Sequence, residues 1–323
     1  MTAPAVEQLR RVVELACRAP SVHNSQPWRW RAHDGGSLEL WADRSRQLTI
    51  ADPQGRDLAL SCGAAIHHAV TCGPALGLWG RVELAPDPSR TDLLARLGFE
   101  VGVVAADAAD RLLTLERRST DRRRFTRWPV PRPRLLELAA AAVPWGASAV
   151  PVTASGERAR AEVLVLRAQE EQARDPALVE EQRGWLDHGR ADGIVGRVAA
   201  PTRSPRPELP HRSRSDTTDL VPRLLDGTDG LLVLCTASDD QLHWLRAGAA
   251  LSAVWFGATR SGLSLVPLSQ VVEVATTRRD LRREVLSGAA HPQLLLRVGW
   301  QEIGRATMPR TPRRPLHEVL DWL

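Results

Sequence analysis

The sequence predicts an α+β protein built twice over, with two similar halves in one chain. Helical periodicity alternates with short β-type runs along the whole length, which suits layered sheets and helices. Short segments of the first half also recur in the second at fixed spacings. Pro20 and Pro27 match Pro144 and Pro151 at a spacing of 124 residues. Gly63-Ala64-Ala65 matches Gly248-Ala249-Ala250, and Gly77-Leu78 matches Gly262-Leu263, both at 185. The spacings differ by 61, so the second half is expected to carry an insertion between the two sets of matches. Self-similarity of this kind points to a duplicated fold whose halves pack as a pseudo-dimer.

The elements follow in order. Val6, Leu9, Val12, Val13 and Ala16 fall on one face of a helix over 4–18. Strands at 28–32 and 37–42 flank the turn His33-Asp34-Gly35-Gly36. A nearly apolar helix over 57–72 ends at Gly73-Pro74, and strands follow at 81–85 and 99–105, then a helix over 108–118. The second half reads as a helix over 132–142, the segment 144–151, a strand, and a helix over 156–173. It continues with a strand at 231–235, a buried helix over 242–260, and strands at 263–266 and 294–298. The halves are expected to divide as 1–110 and 111–323. The insertion is placed at 168–222; its Pro/Arg/Ser-rich end (Pro201 to Ser215) cannot build a core, and the segment reads as a lid.

At 323 residues the chain suits about two domains of ~150 residues. With 43% hydrophobic and 25% charged residues it is globular rather than disordered. All 43 basic residues are Arg and Tyr is absent, which reads as codon bias. A net charge of +5 and pI near 10.0 permit an anionic ligand without demanding nucleic acid. Cys17, Cys62, Cys72 and Cys235 sit in apolar stretches without paired spacing and read as reduced core residues of a cytoplasmic protein. Cys62 and Cys72 are nearly three helical turns apart, so they cannot share a metal with His67 and His68. Glu7, Arg10, Arg11 and Glu14 interrupt any secretory h-region, and no stretch reaches the ~20 apolar residues of a membrane span, so a soluble protein is expected.

Three segments carry chemistry. Ala19-Pro20-Ser21-Val22-His23-Asn24-Ser25-Gln26-Pro27-Trp28 suits neither helix nor strand. Its prolines fix a turn, and Ser21, Asn24 and Gln26 offer hydrogen bonds to the turned backbone or to a flat polar ligand. Arg117-Arg118-Ser119-Thr120-Asp121-Arg122-Arg123-Arg124-Phe125 sets guanidinium forks and hydroxyls where they suit a phosphate dianion. Arg313-Arg314, bounded by Pro312 and Pro315, can complete the same pocket.

Together these segments resemble the nitroreductase family of FMN proteins, and within it the single-chain, duplicated Acg-like subgroup. The resemblance implies a nitroreductase-like α/β/α sandwich, with FMN held non-covalently between the halves. It implies that Pro20, Ser21, Val22 and Asn24 line the flavin ring. Arg118, Ser119, Thr120, Arg122 and Arg313 would hold the phosphate or sit near N1/O2, where a cation stabilises reduced flavin. Ser269 and Gln270 are candidates near N5, and Gln26 reads as a brace of the loop. Only the first-half loop combines with the second-half arginines, so one FMN per chain is expected. The implied activity is ping-pong transfer from transiently bound NAD(P)H to a small electron-poor acceptor, a nitro compound or quinone. The flavin carries the chemistry, no side chain serves as general acid or base, and no Gly-x-Gly-x-x-Gly unit holds the dinucleotide. The alternative is a protein that sequesters FMN beneath its lid without turnover. A monomer is expected, since the chain is its own pseudo-dimer, with neither nucleic-acid nor membrane partners.

Overall fold

The computed structural model describes residues 4–123, 125–186, 192–194, 229–302, 304 and 310–323. The first set of elements is α1 (Val6–Ala16), β1 (Trp28–His33), β2 (Ser37–Ala42), α2 (Arg56–Cys72), β3 (Leu78–Leu84), β4 (Leu93–Val101) and α3 (Ala108–Arg117). The second begins with α4 (Arg132–Ala140), β5 (Ser148–Pro151), α5 (Ser155–Ala173), α6 (Pro176–Gly184) and β6 (Gly230–Thr236). It continues with α7 (Gln241–Arg260), β7 (Leu263–Leu268), α8 (Gln270–Glu273), α9 (Ala275–Glu284), β8 (His291–Trp300), α10 (Leu316–Val319) and β9 (Leu320–Trp322).

Two sheets form. The first runs β3-β4-β2-β1-β9 and the second β7-β8-β6-β5, so four strands of each share one order. Every pair within those four is antiparallel. The fifth strand of the first sheet comes from the chain's far end: β9 runs parallel to β1, with Trp30 opposite Leu320. The last residues of the chain thus join the first sheet.

Helix α2 packs on the first sheet, α7 on the second, and the two helices cross each other. All of α2 except Val70 is buried, as its apolar composition on every side requires. The crossing is reciprocal. A Cβ at Gly248 would lie 2.7 Å from the Leu60 carbonyl carbon, and one at Gly63 would lie 2.9 Å from Ala249 N and overlap the Leu245 carbonyl oxygen. Leu60 and Leu245 are themselves 185 apart. Residue i meeting j while their counterparts meet in reverse is the signature of an isologous, two-fold contact. At the same spacing Gly77 and Gly262 both take left-handed φ, 71° and 72°, each turning the chain into its strand at Leu78 or Leu263.

Beside the crossing, His67 Nδ1 meets Ser252 Oγ at 2.9 Å and its Nε2 meets Thr71 Oγ1 at 3.2 Å. Burial pushes His67 down to about 3, so it stays neutral in the fold. The unfolded chain, with an ordinary value of 6.5, takes up that proton first. Stability is therefore held above pH 6.5 and lost as pH falls toward 3, at up to about 1.4 kcal/mol per pH unit for this one group. Thermal melts are expected to drop between pH 7 and 5, and to drop less in His67→Gln; equal drops in both would refute the assignment.

Several boundaries differ from the sequence expectation. Strand β3 begins at Leu78 because Gly77 turns the chain there, and β4 begins at Leu93 rather than 99. The proline match at 124 does not survive: Pro27 precedes β1, whereas Pro151 is the last residue of β5. The segment 144–151 is thus half strand and not a copy of the loop at 20–27. Residues 34–36 join β1 to β2, whereas 152–229 separate β5 from β6, and the expected insertion at 168–222 falls within that longer connection. Of the expected lid at 168–222, the end of α5, α6, 185–186 and 192–194 are described; 187–191 and 195–222, with Pro201 to Ser215, lie outside the described residues.

Candidate functional site

The loop after α1 is held in an unusual shape. His23, Asn24 and Gln26 all take positive φ (46°, 55° and 51°), which non-glycine residues rarely adopt. Such strain persists only where the surroundings over-determine it, and it concentrates at ligand sites. Ser21 Oγ accepts the Gln26 N–H at 3.0 Å, closing the loop on itself. Gln26 Nε2 donates to Asn24 O at 3.3 Å, while its Oε1 accepts Arg314 N–H at 2.8 Å. The Val22 N–H donates to Ser61 Oγ on α2 at 3.1 Å. Asn24 is the junction: its Nδ2 donates to Gly193 O at 3.0 Å and Pro312 O at 3.1 Å, and its Oδ1 accepts from Arg313 at 3.1 Å.

Against this loop lies a cavity of about 460 Å³. Its lining includes Pro20, Ser21 and Asn24 from one side, and Arg118, Ser119, Thr120, Arg122 and Arg313 from the other. Eight of the eleven sequence-predicted residues therefore meet. Val22 is not part of the lining; its N–H is tied to Ser61 on α2. Ser269 and Gln270 are not brought to the cavity. Ser269 lies beside Glu273, whose carboxyl is raised by burial and by Asp52; Glu273 in turn helps raise buried Asp57 on the first turn of α2.

The guanidinium groups are disposed unequally. Asp121, inside the arginine run, is taken by Arg123 (2.6 Å) and by Gln301 (2.6 Å). Arg314 pairs with Asp43 at 3.3 Å and Glu318 at 3.4 Å. Arg313 instead hangs on neutral oxygens, its Nε donating to Cys17 O at 2.9 Å and Nη2 to Arg18 O at 3.2 Å. Arg118 donates once, from Nη2 to Arg18 O at 3.3 Å, and its guanidinium lies 4.7 Å over the Trp255 ring. Its Nε and Nη1 are buried with no partner among the described residues. Burial pushes Arg118 down to about 9, helped by the neighbouring Arg313 charge; burial pushes Arg313 down to about 10 and also lowers Arg122.

Buried donors without acceptors, on cations that repel one another, are costly unless an anion joins them. The cavity's two carboxylates do not fill that role at Arg118: Glu14 pairs with Arg10 and Arg11, and Glu116 has no ion pair among the described residues. The charge-assisted geometry fits a phosphate. The sequence reading missed Arg18, whose carbonyl gathers both arginines, and Arg310 and His23, which also line the cavity. No spacing signal marks them, because they reach the site through the turn after α1 and through the returning C-terminal segment.

The segment read as the insertion meets the 20–27 loop at Gly193, whose carbonyl accepts from Asn24 Nδ2, and it also holds the segment between β2 and α2. Glu181 on α6 accepts N–H from Ile50 (2.9 Å) and Ala51 (2.8 Å), and Arg46 pairs with Asp192 while lying over Trp185.

No family model matches the chain. A Mycobacterium tuberculosis protein named "Putative NAD(P)H nitroreductase" is 38% identical over 99% of this chain and 92% of its own length. A second from that organism, "Putative NAD(P)H nitroreductase acg", is 31% identical over 98% of this chain and 96% of its own. Among solved structures, the FMN-dependent nitroreductase NfnB from Mycobacterium smegmatis in complex with NADPH aligns with a TM-score of 0.43 and 17% identity, covering 66% of this chain and 96% of that one.

Proposed function

The chain belongs to the nitroreductase family, and on that premise we propose that it is an FMN-dependent oxidoreductase passing electrons from NAD(P)H to a small electron-poor acceptor, a nitro compound or quinone. The observation that carries the FMN assignment is the pair of orphaned Arg118 donors in a cavity shared with Arg313 and the strained loop. FMN supplies hydride acceptance and delivery when bound; the protein supplies placement and charge. Arg118, Arg122 and Arg313 hold the phosphate, with Ser119 and Thr120 donating hydroxyls to its remaining oxygens. Pro20, Ser21 and Asn24 border the ring, and Val22 fixes that border to α2 through Ser61. Ser269 and Gln270, which lie outside the cavity lining, remain the candidates that would donate near N5 of a bound flavin. One such combination is present among the described residues, which supports one FMN per chain.

A second reading, sequestration without turnover, is favoured by the tie between Asn24 and Gly193 and by the Arg46–Asp192 pair, which fasten the insertion to the ring-side loop. Anaerobic stopped-flow of the yellow protein with NADPH or NADH decides between them. Bleaching of the flavin absorbance within seconds, followed by reoxidation with a quinone, is the outcome expected of the enzyme. A flavin that stays oxidised in the wild type but bleaches in Arg46→Ala identifies sequestration by the insertion. A protein that neither purifies with nor takes up FMN overturns both.

A further inference from the structure

Among the described residues, three of the four sheet edges are blunted in ways that prevent strand pairing. Edge strand β9 is three residues long, β5 is four residues ending in Pro151, and β7 carries Pro267 within it. Short strands and prolines are the ordinary protections of an exposed edge. Edge strand β3 has neither: seven residues, Leu78–Leu84, contain no proline. Its Val82 stands 185 residues before Pro267, so the duplicated position carries a block on one sheet and an open N–H on the other.

The β3 groups left without a partner among the described residues can be assigned. Ala85 N–H donates to Leu94 O on β4, and Gly77 O accepts Gly102 N–H, both at 2.8 Å. Antiparallel ladders alternate, so the odd-numbered residues are spent on β4, while Gly80, Val82 and Leu84 direct their backbone groups outward. Any strand added here must bond those even positions. Trp79, Arg81 and Glu83 share the exposed face, with Trp79 at 50% exposure.

We propose that the β3 edge is a docking surface for the β3 edge of a second copy of this chain, paired antiparallel about a two-fold axis at Val82. In that register Val82 pairs with its counterpart, Gly80 with Leu84, and Arg81 faces Glu83 across the axis twice. The Arg–Glu pairs occupy the positions where cross-strand side chains come closest. Centring on Arg81 or Glu83 would oppose like charges, so charge selects the register. The monomer expected from the pseudo-dimeric chain is thereby replaced by a dimer whose contact leaves the cavity of each copy within its own chain. A seven-residue ribbon with Trp79 at its end is small beside a standard interface, which places the dimer in the weak, reversible class.

Sedimentation velocity of the full chain tests this over about 1 to 200 µM, the range where so small an interface dissociates. A concentration-dependent dimer is expected. Arg81→Glu should weaken it by about tenfold or more, and so should Glu83→Arg, since each sets like charges opposite one another. The double swap Arg81→Glu with Glu83→Arg should restore it. Val82→Pro, which copies the β7 edge and costs no bond to β4, should abolish it while the melting temperature holds. A monomer at every concentration overturns the proposal. So does a dimer indifferent to Val82→Pro and Arg81→Glu.

Discussion

Replacing Arg118 with alanine is expected to weaken FMN binding by about ten- to a hundredfold while raising the melting temperature of the flavin-free protein. The two effects have opposite signs because the side chain is costly without an anion and useful with one. In the protein alone, Arg118 buries Nε and Nη1 unbonded and sits near a second cation, Arg313. Removing it relieves that repulsion at the loss of one 3.3 Å bond to the Arg18 carbonyl and the contact with Trp255. With a phosphate present, each charge-assisted bond contributes about 1.5–3 kcal/mol, and 1.4 kcal/mol is a tenfold change in affinity. Arg118→Lys should recover only part of the affinity, since an ammonium cannot present a planar fork. Flavin content after purification and fluorescence titration with FMN check the first effect, and apoprotein melts check the second. If Arg118 serves only to cap the end of α1, affinity will be unchanged and the apoprotein will melt lower.

The arginines were legible because their chemistry is local: a cluster of forks and hydroxyls reads as an anion site wherever the chain places it. Which of them reach the cavity without a carboxylate partner was not legible. That depends on Asp121 taking Arg123, and on Asp43 and Glu318 taking Arg314, pairings set by tertiary distance. The loop at 20–27 was legible as irregular from its prolines. Its left-handed residues were not, because His, Asn and Gln tolerate that region without requiring it. The resemblance places Asn24 and Ser21 at the ring; their hydrogen bonds in the structure go to the loop itself, to Gly193 and to the C-terminal segment. Long periodic elements such as α1, α2 and α7 matched their expected spans within two residues or so. Strand β9 escaped because three residues carry no period, and its partner lies almost the whole chain away. Of the two repeat spacings, 185 persists because glycines are needed where helices touch. The spacing of 124 rested on prolines, which serve unrelated turns.

Gly248→Ala is expected to destabilise the protein by about 3 kcal/mol or more, while the same substitution at Gly257, nine residues along the same helix, stabilises it by up to about 1 kcal/mol. Both replace a glycine in α7 and gain the same helical propensity. They differ in what the new methyl meets. At Gly257 it finds only the end of the Leu138 side chain at 3.4 Å, an ordinary contact that can shift. At Gly248 it meets the backbone of Leu60, with the carbonyl carbon at 2.7 Å and Cα at 2.8 Å, which no rotamer change can clear. The helices must separate, and α2 carries Ser61, which anchors Val22 and hence the strained loop. The loop is tied to α2 through Ser61, whereas the Arg118 guanidinium lies over Trp255 of α7, so separation at the crossing also widens the cavity between them. FMN affinity should therefore fall in Gly248→Ala although that residue lies outside the cavity lining. Gly63→Ala should reproduce both effects. Because it crowds the same reciprocal contact, the double variant should lose less stability than the sum of the two. Thermal melts and FMN titration of the three variants decide it, and a Gly248→Ala protein as stable as Gly257→Ala would show that the helices do not meet this closely.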